Sequence, residues 1–368
     1  MNILSARRLW QRATQHFDPP LMTLTMLLML VGFMSVFSAT YDTQNRLLAQ
    51  MVNMLVAFGL MWLISQVAPQ TLMRYGVLLY VAGVTMLVLV FFFGVKVNGA
   101  RRWLDIGITR IQPSEIMKVA VPLMLAWYYH KHEAGIRFRH HLVALILLVV
   151  PFLLIFKQPD LGTAILIGAA GFYIIFFAGF PWKFIIGGVV IAIASAPFAW
   201  NFLHDYQKRR IMTLLDPSSD PLGSGYHIIQ GTIAIGSGGW FGKGWLHGSQ
   251  TQLDFLPEKH TDFIFAVYSE EWGFFGNMVL LALYMMLIAR AMMIAYSAPT
   301  LFSRLLAGAI GLILFTYAFV NMGMVSGILP VVGIPLPFIS YGGTALVTLF
   351  VLLGILMSIQ THRMLVKR

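Results

Sequence analysis

LMTLTMLLMLVGFMSVFSAT, residues 21–40, runs for twenty positions without a charged side chain. At 1.5 Å per residue, a helix of that length crosses the hydrocarbon core of a bilayer. Outward from it, apolar stretches of comparable length recur near 47–67, 72–93, 113–130, 142–156, 161–180, 184–203, 263–295, 301–325 and 341–360. The expected fold is therefore an all-α polytopic membrane protein of about ten transmembrane helices. The stretch at 142–156 is short, and the one at 263–295 is long and carries Glu270 and Glu271, so these two boundaries are the least defined.

Composition agrees. Hydrophobic residues make up 58% of the 368 positions and charged residues 11%, and mean hydropathy is +0.78, too apolar for a surface that water alone must solvate. The chain contains no cysteine, which removes disulfides, thiolate metal sites and cysteine nucleophiles. Its net charge of +11 is spread over short loops rather than arrayed on one face, which argues for membrane orientation and against nucleic acid. The basic residues 1–20 precede a full-length span with no small-residue cleavage site, which reads as a retained anchor.

Lys and Arg in the short loops set the orientation. With the N-terminus inside, thirteen fall on the cytoplasmic side (Arg7, Arg8, Arg12, Arg74, Lys131, Arg137, Arg139, Lys183, Arg290, Arg304, Arg363, Lys367 and Arg368) and six outside (Arg46, Lys96, Arg101, Arg102, Arg110 and Lys157). Both termini are thus expected inside. The expected organisation is a cytoplasmic tail at 1–20, spans one to seven within 21–203, a large extracytoplasmic loop at 204–262, spans eight to ten within 263–361, and a cytoplasmic tail at 362–368. Asp42, Asp105, Asp160, Asp205, Asp216, Asp220, Asp254, Glu258 and Asp262 all face outward in this arrangement, so charges of both signs gather on the external side. A loop as long as 204–262 is usually functional. Its stretch GYHIIQGTIAIGSGGWFGKGW, residues 225–245, reads as a short helix on the membrane surface followed by a Gly-rich turn. No internal repeat is visible, which weakens a transporter reading.

Several groups on that external side could carry chemistry. Asp262 opens the eighth span in HTDFIFA, where a helix N-terminus stabilises a carboxylate; capping, by it or by Thr261 beside it, and catalysis by Asp262 are both open. Glu115 and Lys118, after Gln112 and Pro113, share one face of the fourth span and form either a structural salt bridge or part of a hydrated cavity. Arg101, Arg102 and Arg110 flank WLDIGIT; each alone is an ordinary interfacial anchor, and as a group they suit phosphate oxygens. Asp160 in KQPDLGT is by default the cap of the sixth span. Glu270 and Glu271 lie deep in the eighth span and read as a buried hydrogen-bonded or protonated pair rather than a second catalytic acid. Residues 321–345, with Pro330, Pro335, Pro337 and repeated glycines, forbid a plain helix and read as a re-entrant cavity wall. No P-loop, dinucleotide fingerprint, HExxH or Ser-His-Asp pattern is present.

RRWLDIGITRIQPSEIMKVAVP (101–122), QPDLGTAILI (158–167), residues 209–266 and ILPVVGIPLPFISYGG (328–343) together resemble the SEDS (shape, elongation, division and sporulation) family of membrane peptidoglycan polymerases. The wording GKGWLHGSQTQLDFLPEKH resembles its elongation branch rather than its division branch. The resemblance implies a glycosyltransferase of the bacterial cytoplasmic membrane that polymerises lipid II on the outer face, with Asp262 as general base. Glu115, Lys118, Asp160 and Gln112 would then order the cavity, and Arg101, Arg102, Arg110 and Lys118 would meet the pyrophosphate. A divalent cation, magnesium or manganese, is a further candidate for that last task, and no organic cofactor is implied. The implied partners are a class B penicillin-binding protein and other proteins of the rod-shape elongation complex; apolar residues of spans eight and nine are candidates for its anchor helix. A lipid II flippase and a non-catalytic scaffold are the alternatives.

Overall fold

The computed structural model describes residues 17–363 apart from 41–43, 98–99, 106, 108–109, 204, 221–222, 254 and 257. The expectations for the tails at 1–16 and 364–368, and for Asp42 and Asp254, lie outside the described residues. Ten long helices are present among the described residues: α1 (Pro19–Ala39), α2 (Gln44–Ser65), α3 (Pro69–Phe93), α4 (Pro113–Lys131), α5 (Phe138–Lys157), α6 (Leu161–Phe177), α7 (Trp182–Phe202), and, after two shorter helices α8 (Asp205–Leu215) and α9 (Ser224–Ser237), the last three, α10 (Ile264–Ser297), α11 (Leu301–Val325) and α12 (Gly343–His362). Seven are long and apolar enough to cross a membrane. Of the other three, α4 carries Glu115 and Lys118, and α6 and α7 offer only shorter apolar runs. The chain is a multi-pass, all-α membrane protein.

Local chemistry explains where the helices begin. Proline stands in the first turn of α1, α3 and α4, where its missing N–H costs nothing. Asp18 accepts from Leu21 N at the start of α1, Asp160 from Thr163 N at the start of α6, and Thr300 from Ser303 N at the start of α11. The loop before α4 contains a feature the sequence reading did not anticipate: strands β1 (Val95–Val97), β2 (Ala100–Asp105) and β3 (Arg110–Ile111) form a small antiparallel sheet in the order β1-β2-β3.

The most central helix is α11, which packs against α4, α6, α10 and α12. Beside α10, α1 runs antiparallel and is tied to it at both ends. At one end Arg290 grips both carboxylate oxygens of Asp18, Nε to Oδ1 being 3.0 Å; at the other, Ser38 donates to Glu271. Asp18 is only 4% exposed, so Asp18→Asn, which keeps a cap but removes the charge, is expected to cost about 2 kcal/mol and lower the detergent melting temperature.

The contact with Ser38 also corrects the depth assigned to Glu270 and Glu271. At Gly273 the backbone leaves the helix, with φ 66° and ψ −163°. Residues 264–272 therefore form a separate short segment, and the long span is residues 274–297. The two glutamates lie level with the end of α1, at the loop end of the bundle, rather than deep in the span.

Candidate active site

Asp262 sits two residues before α10, and the structure corrects the capping reading: the N-cap is Phe263, and no side chain caps this helix. What holds residues 260–262 is a set of bonds to their backbone. Tyr341 N donates to His260 O at 2.8 Å, Ser340 Oγ to Thr261 O at 2.7 Å, and Asn321 Nδ2 to Asp262 O at 2.9 Å. Three successive carbonyls are thus pinned by the end of α11 and the stretch that follows it. The Asp262 carboxylate itself makes no hydrogen bond or ion pair among the described residues. Gly333, at φ 74°, lies so close that a Cβ there would stand 3.3 Å from Asp262 Oδ2. Burial pushes the Asp262 carboxyl up to about 6, and the nearby charge of Glu258 adds to the effect. A half-buried carboxylate with free lone pairs and a raised pKa is equipped to accept a proton near neutrality.

The stretch between α11 and α12 is not helical, as its prolines led us to expect. Its free carbonyls find side-chain donors inside the protein: Tyr284 donates to Pro337 O at 2.6 Å and Asn321 to Ile334 O at 2.7 Å. Ile334, Leu336, Phe338 and Ile339 are buried.

Glu115 and Lys118 form an ion pair of 2.6 Å, nearly closed to solvent, and Thr348 of α12 donates to the second Glu115 oxygen at 2.9 Å. The Lys118 ammonium also lies 5.5 Å from the centre of the Tyr317 ring. Tyr317 and Asn321 are one turn apart on α11, so a single helical turn separates the contact to Lys118 from the contact to Asp262. A cavity of about 480 Å³ opens beside the pair, lined by Asn53, Arg110, Gln112, Glu115 and Thr348 with apolar walls from α3, α4 and α12.

The three arginines separate in space. Arg102 is consumed by structure: it donates to the carbonyls of Gln158 and Pro159 and stands 3.8 Å from Asp160. Asp160 both caps α6 and accepts from Gln112 Nε2 at 3.1 Å, which ties the start of α4 to that of α6. Arg110 lines the cavity and pairs with Asp105 at 3.6 Å, while Arg101 lies exposed on β2. Sequence reasoning missed Arg46, whose guanidinium reaches the His260 ring at 3.2 Å from the start of α2. Burial, reinforced by that guanidinium, holds His260 below the usual imidazole range. It also missed Asn321, although a lone amide in an apolar span is a signal in its own right. Among the described residues no three His, Asp or Glu side chains converge as a metal-binding group.

The family model described as the FtsW/RodA/SpoVE cell cycle protein matches residues 19–365. The chain belongs to that family. The peptidoglycan glycosyltransferase MrdB of Escherichia coli (strain K12) is 48% identical over 354 residues, 96% of each chain. A probable peptidoglycan glycosyltransferase FtsW of Aliivibrio salmonicida is 34% identical, covering 94% of this chain and 89% of its own. Among solved structures, a chain from a peptidoglycan synthase complex that coordinates polymerization and crosslinking superposes with a TM-score of 0.82 at 33% identity, covering 94% of this chain and 98% of its own. The rod shape determining protein RodA of Thermus thermophilus superposes with a TM-score of 0.72 at 29% identity, covering 94% and 97%. The higher identity to MrdB than to FtsW agrees with the elongation-type wording of residues 242–260.

Proposed function

We propose that the chain is a peptidoglycan glycosyltransferase that polymerises lipid II into glycan strands during cell elongation, at the outer face of the bacterial cytoplasmic membrane, with Asp262 as general base. The loop end of the bundle then faces outward and both termini face the cytoplasm. The observation that carries the reading is the Asp262 carboxylate, fixed through its backbone yet without a hydrogen bond or ion pair of its own among the described residues, one turn of α11 from the contact between Tyr317 and Lys118. It is supported by the names of the relatives.

In the reaction, the 4-hydroxyl of one lipid-linked sugar attacks the anomeric carbon of another. Asp262 takes the hydroxyl proton as the new C–O bond forms, and the undecaprenyl pyrophosphate leaves with the electrons of the old one. A diphosphate departs without protonation, so the second carboxylic acid of glycoside hydrolases has no task here. Cations receive the developing charge instead. Arg110, which lines the cavity, would make that contact, and Lys118 would support it from its ion pair with Glu115. Arg110→Ala is expected to raise KM for lipid II about tenfold with little change in melting temperature, because an exposed pair with Asp105 contributes little to stability.

The decisive assay supplies labelled lipid II to purified protein in detergent, where flipping has no meaning, with and without a class B penicillin-binding protein. Glycan strands are the expected product, and their absence in both conditions overturns the proposal. A flippase would need polar groups continuing towards the cytoplasmic end. Below the Glu115–Lys118 pair, however, α4 presents Val121, Leu125 and Ala126, all fully buried. For the partner, the groove between α10 and α11, lined by Met285, Phe315, Phe319 and Met322, is the apolar surface to which a single anchor helix would dock.

A further inference from the structure

The break at Gly273 is filled by residues of the large loop. Phe274 N donates to Gly239 O at 2.8 Å and Phe275 N to Trp240 O at 3.0 Å, while Lys243 N and Gly244 N donate to the carbonyls of Glu270 and Glu271 at 3.0 Å each. The Gly-rich turn replaces the hydrogen bonds that a continuous helix would have made. Its glycines are required by contact: a Cβ would stand 2.2 Å from Ser269 O at Gly238 and 2.0 Å from Glu271 O at Gly242. Beneath this splice lies Glu270, wholly buried. It accepts from Lys243 Nζ at 2.7 Å, Gln250 N at 3.0 Å, Ser249 Oγ at 3.2 Å and Thr251 Oγ1 at 3.3 Å.

Because the helix is interrupted, the span at 274–297 reaches residues 264–272 through side chains, Tyr268 Oη donating to Gly276 O at 2.8 Å and Ser269 Oγ to Asn277 Oδ1 at 3.0 Å. The splice and the Glu270 clamp add the hold of the large loop on the same segment. Two residues beyond the other end of that segment stands Asp262. We propose that Lys243 is a positioning residue for glycosyl transfer: by holding Glu270 it fixes residues 264–272 and, through them, the aim of the Asp262 carboxylate. The inference rests on reading Asp262 as the base. Lys243 itself works at the far end of the segment from the reacting atoms, so its loss affects turnover rather than substrate binding.

The test compares lipid II polymerisation and amide hydrogen exchange in the full-length protein and its Lys243→Met, Lys243→Arg and Lys243→Met/Glu270→Leu variants. In Lys243→Met, kcat is expected to fall about tenfold or more with KM within about twofold, since a displaced catalytic group costs rate rather than affinity. Exchange should quicken over residues 264–272 and not over 274–297, and Lys243→Arg should restore both. The double variant removes the uncompensated buried charge and so keeps the protein folded; its kcat should remain low. Parental kcat in either Lys243→Met protein, unchanged exchange over 264–272, or a rise in KM with kcat retained would each overturn the proposal. If Asp262→Asn kept parental turnover, the reading of the base would fall by itself, while the exchange measurement would still decide whether Lys243 orders the segment.

Discussion

Asp262→Asn is expected to abolish glycan synthesis, lowering turnover roughly 10²–10⁴-fold, while the protein inserts, folds and binds lipid II as before. The amide fills the same space and meets no partner it could offend, because the carboxylate it replaces makes no hydrogen bond among the described residues. The pH profile supplies an independent reading of the same group. With its pKa pushed up to about 6, the carboxyl is mostly ionised and competent above pH 7, and turnover should fall roughly tenfold per unit below pH 6. Stability runs the other way. A carboxyl whose pKa is higher in the folded than in the unfolded state destabilises the fold progressively as pH rises from its ordinary value through about 6, and fully above that. The neutral Asn removes this cost, so the inactive variant should be more stable than the parent at pH 8 by about 2 kcal/mol and equal to it near pH 3. Residual turnover at the parental rate, or a profile flat between pH 5 and 8, would remove Asp262 from the chemistry.

The spans could be read from the chain because length and apolarity are properties of consecutive residues, and the bilayer demands both. The sequence boundaries erred where the cause is non-local. The apolar run 142–156 understated α5, whose first turn is made of Phe138, Arg139, His140 and His141; His140 Nδ1 accepts from Arg137 N and closes that end. The run from 263 to 295 hid the break at Gly273, since WGFFG looks like any apolar stretch until residues 239–244 arrive to take up its free amides. Glu270 and Glu271 looked deep only because the helix looked continuous.

At the site, the sequence indicated residue types and not their partners. Asp262, Glu115 and Lys118 stood out as ionisable groups at span ends, which is expensive without a purpose. That Arg102 would be occupied by the carbonyls of Gln158 and Pro159, and Arg110 left on a cavity wall, depends on how β2 and β3 fold over the start of α6. Spacing along the chain carries no record of that. Arg46 and His260, 214 positions apart, meet for the same kind of reason.

The second large effect separates the two roles open to the Glu115–Lys118 pair. Lys118→Met leaves Glu115, among the described residues, with only the Thr348 hydroxyl to answer its charge in a site almost closed to water, and should cost about 3–5 kcal/mol, enough to depress the melting temperature severely. Activity lost in that variant would be uninformative alone, because an unfolded protein is also inactive. Glu115→Leu/Lys118→Met resolves the matter: removing both charges trades a desolvated ion pair for apolar contact, which is neutral or stabilising, so the double variant should melt near the parent. If the pair only braces α4 against α12, that stable protein polymerises lipid II normally. The geometry favours the other outcome. Lys118 lies against Tyr317, one turn of α11 from the side chain that pins Asp262 O, and under the proposed function its charge would favour a departing diphosphate. The double variant is therefore expected to be folded and at least about a hundredfold slower, with Asp262 in place but no buried cation to receive the leaving group.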